Sequence, residues 1–102
     1  MIVSDNIEII SKWFLQQCDG DWEHDHQIKI ETLDNPGWKV RIDLEFTSLE
    51  SLAIEEKVDN SDDDWYFLEI KNNQFTAAAD PMKLNFILEK FVEIIRKYQP
   101  NI

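Results

Sequence analysis

Hydrophobic and polar positions alternate most regularly in the middle of this 102-residue chain. From Trp38 to Phe46 every second residue is apolar (Trp38, Val40, Ile42, Leu44, Phe46), and the residues between are Lys39, Arg41, Asp43 and Glu45. A period of two is that of a strand with one face buried. Ile28, Ile30 and Thr32 alternate in the same way with Lys29 and Glu31. Between the two runs Asn35-Pro36-Gly37 supplies a turn, proline setting φ and glycine accepting a positive one. The pattern predicts an antiparallel hairpin of residues 28–33 and 38–45, with Ile30 facing Ile42 and Ile28 facing Leu44. That register sets Lys29 opposite Asp43 and Glu31 opposite Arg41 on the outer face.

Helical spacing brackets this region. Ile7, Ile10 and Phe14, with Trp13 beside them, predict a helix over residues 5–17, and Asp5 and Glu8 have the spacing of a capping box. Cys18-Asp19-Gly20-Asp21 ends it, Gly20 being able to take a left-handed conformation. Residues 46–52 read as a loop, Ile54–Val58 as a strand, and Ser61-Asp62-Asp63-Asp64 as a solvated turn. Trp65–Lys71 is a strand, Asn72-Asn73 a tight turn and Gln74–Ala78 a short strand. The last helix starts from Asp80 as N-cap with Pro81 in its first position. Its apolar stripe is Leu84, Ile87, Leu88, Phe91, Ile94, Ile95 and Tyr98, with Arg96 and Lys97 in the last turn and Pro100 just past the end. The fold expected is α+β: a single two-layer domain over residues 1–102, with an antiparallel sheet of about five strands and both helices on one face, in the order α-β-β-β-β-β-α.

Charge changes the picture most. There are 21 Asp and Glu against 10 Lys and Arg, a net charge of −11. Phosphate binding relies on Lys and Arg, so nucleic acid and anionic membrane are excluded as partners. A basic protein partner is favoured instead. The N-terminus lacks a basic region followed by an apolar run, and no stretch is long and apolar enough for a membrane span, so a soluble cytoplasmic protein is expected. One cysteine, Cys18, excludes an internal disulfide framework.

Few residues suggest chemistry. Asp19-Gly20-Asp21-Trp22-Glu23-His24-Asp25-His26 begins like a calcium loop, but the sixth position is His24 instead of glycine and the twelfth is Ile30 instead of glutamate. His24 and His26 with nearby acids give an alternative reading, a metal-dependent hydrolase. Cys18 lies at a helix C-terminus, where the dipole disfavours a thiolate. No glycine-rich phosphate loop, G-x-S-x-G or H-E-x-x-H occurs. No catalytic centre, cofactor or metal is expected. Trp65 and Phe67 alternate with Tyr66, Leu68 and Ile70, so one set faces away from the helices and forms a partner patch unless the 46–52 loop covers it.

The segments Gln17-Cys18-Asp19-Gly20-Asp21-Trp22-Glu23-His24, Thr32-Leu33-Asp34-Asn35-Pro36-Gly37-Trp38, Asp63-Asp64-Trp65 and Asp80-Pro81-Met82-Lys83-Leu84 together resemble the immunity protein 53 family. The resemblance runs over residues 11–91. Where that family more often carries an aromatic and a glycine, this chain has His26 and Gln27. The resemblance implies a bacterial inhibitor that binds and neutralises a cognate polymorphic toxin. With the net charge, it points to a basic, nuclease-like toxin met by an acidic surface. Asp19, Asp21, Glu23, Asp62, Asp63 and Asp64 have no evident folding duty and are the contact candidates, with Trp65 as aromatic anchor. An acidic adaptor for some other basic protein is the remaining alternative. Oligomeric state is left open.

Overall fold

A computed structural model describes residues 5–99; Met1–Ser4 and Pro100–Ile102, with the predicted stop at Pro100, lie outside the described residues. The elements are α1 (Asn6–Gln17), α2 (Trp22–Asp25), β1 (Ile28–Leu33), β2 (Gly37–Asp43), β3 (Ile54–Ser61), β4 (Asp64–Lys71), β5 (Gln74–Ala79) and α3 (Leu84–Tyr98). The five strands form one antiparallel sheet in the order β1-β2-β5-β4-β3. Its edges are β1 and β3, so a hairpin and a three-strand meander meet at the β2–β5 seam.

One sheet face carries Val40, Ile42, Tyr66, Leu68, Ile70, Phe75, Ala77 and Ala79, all buried under α1 and α3. Trp13 of α1 meets Phe91 of α3 edge to face at 5.2 Å, and Phe91 meets Phe75 at 5.0 Å. Offset and edge-on ring contacts of this kind add to the area the rings bury. Ile87, Leu88, Phe91, Ile94 and Ile95 line the inner side of α3 as their spacing predicts, joined by Val92. Tyr98 remains 39% exposed. No helix among the described residues is long and apolar enough to cross a membrane.

The hairpin forms, in a different register. Ile28 faces Ile42, Ile30 faces Val40 and Leu33 faces Gly37, two residues away from the pairing that the charges suggest. A two-residue slide preserves parity, so Ile30 and Ile42 still share a face. The outer pairs change: Lys29 lies opposite Arg41, and Glu31 opposite Lys39. Gly37 is the cause. A Cβ there would sit 2.6 Å from the Ala79 carbonyl oxygen and 3.2 Å from Cζ2 of Trp65. Gly37 is thus required inside the strand beneath Trp65, and the turn retreats to Asp34–Pro36. A like-charge pair on an exposed face costs a few tenths of a kcal/mol to about 1 kcal/mol, too little to oppose this steric constraint.

The helix starts also differ from expectation. Asp5 makes no side-chain cap bond, and its carbonyl accepts from the Ile9 N–H. Glu8 pairs with Lys12 at 3.3 Å instead of closing a capping box. Ile7 is exposed because it lies about 120° around the helix from the buried Trp13, while Asn6 is buried and donates to Asn85 Oδ1 at 3.1 Å. Helix α3 starts at Leu84, three residues later than Pro81, with Lys83 at its N-cap position. Asp80 is turned aside by a stronger set of partners.

Asp80 is fully buried. Its carboxylate accepts from the backbone N–H of Trp65 and of Met82, each at 3.0 Å, and from the Lys83 ammonium. Lys83 also reaches Asp64 Oδ1 at 2.7 Å. Burial alone would push the Asp80 carboxyl up, but Lys83 and the two N–H groups hold it below its ordinary range. For an acid held low, the stabilisation is present above the unfolded value of about 4 and is lost as pH falls through the folded value. Asp80→Ala is expected to cost about 3 kcal/mol at neutral pH, because it strands the Trp65 N–H and half of the Lys83 pairing. Urea denaturation at pH 7 and at pH 3 checks both points: the wild-type advantage over the variant should shrink at the lower pH. Gly37→Ala should lower the denaturation midpoint as well, by an amount on the order of 2 kcal/mol, since Ala79 offers backbone that cannot give way.

Candidate partner-binding surface

The sheet face turned away from the helices is set by strand register. Across it run Glu31, Lys39, Ala78, Phe67 and Lys57 in one row, and Lys29, Arg41, Thr76, Glu69 and Glu55 in the next. Trp65 and Phe67 therefore face away from the helices, and both are half-buried. The 46–52 segment does not cover them. It places Leu49 in the core, and Ser48 is tied to Gln99 just past α3 at 2.6 Å. An open groove of about 740 Å³ is left, lined by Pro36, Lys57, Asp59, Asp62, Trp65 and Phe67 among others. The strand positions on this face hold five of the ten Lys and Arg (Lys29, Lys39, Arg41, Lys57, Lys71) against Glu31, Asp43, Glu55, Asp59 and Glu69. This face is charge-balanced. The acidic surplus lies elsewhere.

The two acidic connections stand at opposite ends of the sheet. Asp62 and Asp63 form the turn between β3 and β4, next to the Leu33–Gly37 end of the hairpin. Asp64 is the first residue of β4 and is held by Lys83 and by Asn60, whose Nδ2 donates to it at 3.0 Å. The Asp19–Glu23 segment lies beyond the start of β1, together with the chain that leaves β2. Asp19 Oδ1 accepts from the N–H of Asp21 and Trp22 at 3.0 and 2.9 Å, and Glu23 accepts from the N–H of Asp19 and Gly20. The Trp22 and Asp21 N–H groups hold the Asp19 carboxyl below its ordinary range, and Glu23 is held low first by its own backbone N–H and then, against burial, by those of Asp19 and Gly20. Asp19, Glu23 and Asp64 thus do have folding duties, contrary to the sequence reading. The side chains of Asp21, Asp62 and Asp63 make no hydrogen bond or ion pair among the described residues.

At the Asp19–Glu23 end the sequence pattern missed a helical turn, α2, which buries Trp22. Trp22 Nε1 donates to the Glu45 carbonyl at 2.8 Å. His26 stacks on the Trp22 ring at 5.0 Å with an 11° tilt, as an aromatic would in its place. Its Nδ1 lies 2.9 Å from the Trp22 carbonyl and its Nε2 3.2 Å from Glu45 Oε1. Both neighbours are acceptors, so the doubly protonated imidazolium satisfies both contacts and a neutral ring only one. Neither nitrogen points into open space, which leaves the hydrolase alternative without its second histidine ligand. Among the described residues no group of three or more His, Cys, Asp or Glu is placed to hold a metal ion. Cys18 donates to the Phe14 carbonyl at 3.3 Å, and burial with the fields of Glu23 and Asp19 pushes its thiol up, away from a nucleophilic thiolate.

Beyond His26, Asp25, Asp43 and Glu45 face Lys71 and Gln74 across a polar hollow of about 500 Å³. The hydrogen bond to the Trp22 carbonyl, then the bond to Glu45 and the Asp43 charge, raise the His26 pKa against the opposing effect of burial. The stabilisation is complete below the unfolded value near 6.5 and is lost as pH rises through the folded value. His26→Gln should therefore cost more at pH 5.5 than at pH 8.5, the difference being about 1 kcal/mol. Denaturation curves for both proteins at the two pH values measure it, and an equal cost at both would show that the fold does not raise the His26 pKa.

A family model described as immunity protein 53 matches residues 7–96. No curated protein and no solved structure matches the chain. The matched span runs from the first turn of α1 to the last turn of α3 and includes the whole sheet, α2 and the Asp80 junction. The chain belongs to the immunity protein 53 family.

Proposed function

We propose that this protein neutralises a cognate polymorphic toxin in the cytoplasm by binding it, without catalysis, and that the toxin is a basic, nuclease-like domain met by acidic side chains. Membership of the family carries the immunity role and a toxin partner. The basic character of the toxin rests on one observation. With the sheet face charge-balanced, Asp19, Asp21, Glu23, Asp25, Glu45 and Glu50 gather at the α2 end of the molecule, where Lys71, His24 and the partly shielded His26 are too few to offset them. Such a concentration of one charge raises the rate of encounter with a partner of the other sign. The backbone bonds to Asp19 and Glu23 support a rigid acidic rim. Asp62 and Asp63 at the far end add to the long-range field.

A second contact reading is favoured by the groove under Trp65 and Phe67, where an aromatic floor faces solvent beside Asp59 and Asp62. Surface plasmon resonance against the toxin encoded beside this protein separates the two. Asp21→Asn with Asp25→Asn should slow association severalfold at low salt and flatten its salt dependence, because exposed charges act through encounter. Asp62→Asn with Asp63→Asn should have a smaller effect of the same sign. Wild-type association rates in both double variants, with a faster dissociation in Trp65→Ala, would move the contact to the groove.

A further inference from the structure

Phe46 combines two unusual properties. Its φ is +65°, a left-handed conformation that costs a bulky L-residue about 1–2 kcal/mol. The residue is also 74% exposed, so burial does not offset that cost. Strain of this kind persists only where surrounding structure over-determines it, and here it does. The Phe46 N–H donates to Glu50 Oε2 at 3.0 Å, Thr47 Oγ1 donates to the Leu44 carbonyl at 2.7 Å, and Leu44 and Leu49 on either side are fully buried. The ring touches His26 edge-on at 5.9 Å. From there the contacts run inward through Trp22 to Trp13 and on to Phe91. An exposed ring is thus the outer end of an aromatic chain rooted in the core.

We infer that Phe46 is the aromatic anchor of the partner interface, inserting into an apolar socket on the toxin that is rimmed by Lys or Arg. The socket chemistry follows from charge complementarity, since Glu45 and Glu50 flank the ring and Asp25 and Asp43 lie just beyond His26. A ring held in place before binding loses little entropy on binding, which is the property of interface hot spots. This inference rests on the proposed toxin-binding role and places its contact at the α2 end.

The test uses the full chain and the toxin encoded beside it, with Phe46→Asn as the main variant, because asparagine tolerates a left-handed φ. Binding should weaken about 30-fold (about 2 kcal/mol at 1.4 kcal/mol per tenfold), while the thermal midpoint stays level or rises. Phe46→Tyr should bind within about threefold of wild type, and Met82→Ser, which removes a still more exposed apolar side chain elsewhere, should bind as wild type. Unchanged binding in Phe46→Asn overturns the inference, and so does weaker binding accompanied by a lower midpoint, which would make the ring structural. Self-association of wild type abolished in Phe46→Asn would assign the ring to a second copy of this chain and overturn it too. Failure of the wild-type protein to bind the toxin is the separate result that removes the toxin-binding role itself.

Discussion

The buried carboxylate of Asp80 is where this fold has least freedom. A charge taken out of water must be matched on nearly every lone pair, and Asp80 is matched by two backbone N–H groups and one ammonium. The partners come from two parts of the chain. Trp65 is at the start of β4, Met82 is in the turn after β5, and Lys83 leads into α3 and carries the connection on to Asp64. Backbone adds to the same junction: the Asp80 N–H donates to the Trp65 carbonyl, and Trp38 Nε1 of β2 donates to the Pro81 carbonyl. The direction in which α3 crosses the sheet, the seat of Trp65 over Gly37 and the hairpin register that Gly37 imposes are all consequences of this one corner.

Much of this was legible from side-chain alternation, and what was hidden follows one logic. Parity along β2 and β4 and the stripe of α3 depend on burial alone, and burial is what hydrophobic patterning reports. The register of β1 on β2 depends on a contact between Gly37, Ala79 and Trp65, residues on three strands, which local charge pairing cannot see. Asp80 has the sequence context of an N-cap, and one of the competing partners, the Trp65 N–H, comes from β4, fifteen residues away in the chain. Among the candidate contacts, the acidity of the Asp19–Glu23 segment was visible. That two of its carboxylates close the α2 turn was not, because those bonds are to backbone. Phe46 looked like the last inward residue of a strand. The chain instead turns at Leu44 to bury Leu44 and Leu49, and the ring is left outside.

The distribution of charge then gives the net value its meaning. A sheet face with balanced charges and small residues on its central strand, Thr76 and Ala78, is poorly suited to steering a basic partner. The α2 end has an unbalanced charge, a backbone stiffened by hydrogen bonds and an aromatic chain that ends at the surface. Attraction at long range and a preorganised contact at short range would act there on the same partner.

That coincidence is the central claim, and a footprint tests it most directly. Amide chemical shifts of the isotopically labelled protein, recorded with and without its cognate toxin, report which backbone groups the partner meets. Perturbations concentrated in residues 19–26 and 43–50, with the sheet face around Lys39, Phe67 and Ala78 unchanged, are the predicted result. Perturbations confined to Trp65, Phe67 and their neighbours on that face, with 19–26 and 43–50 silent, would contradict it.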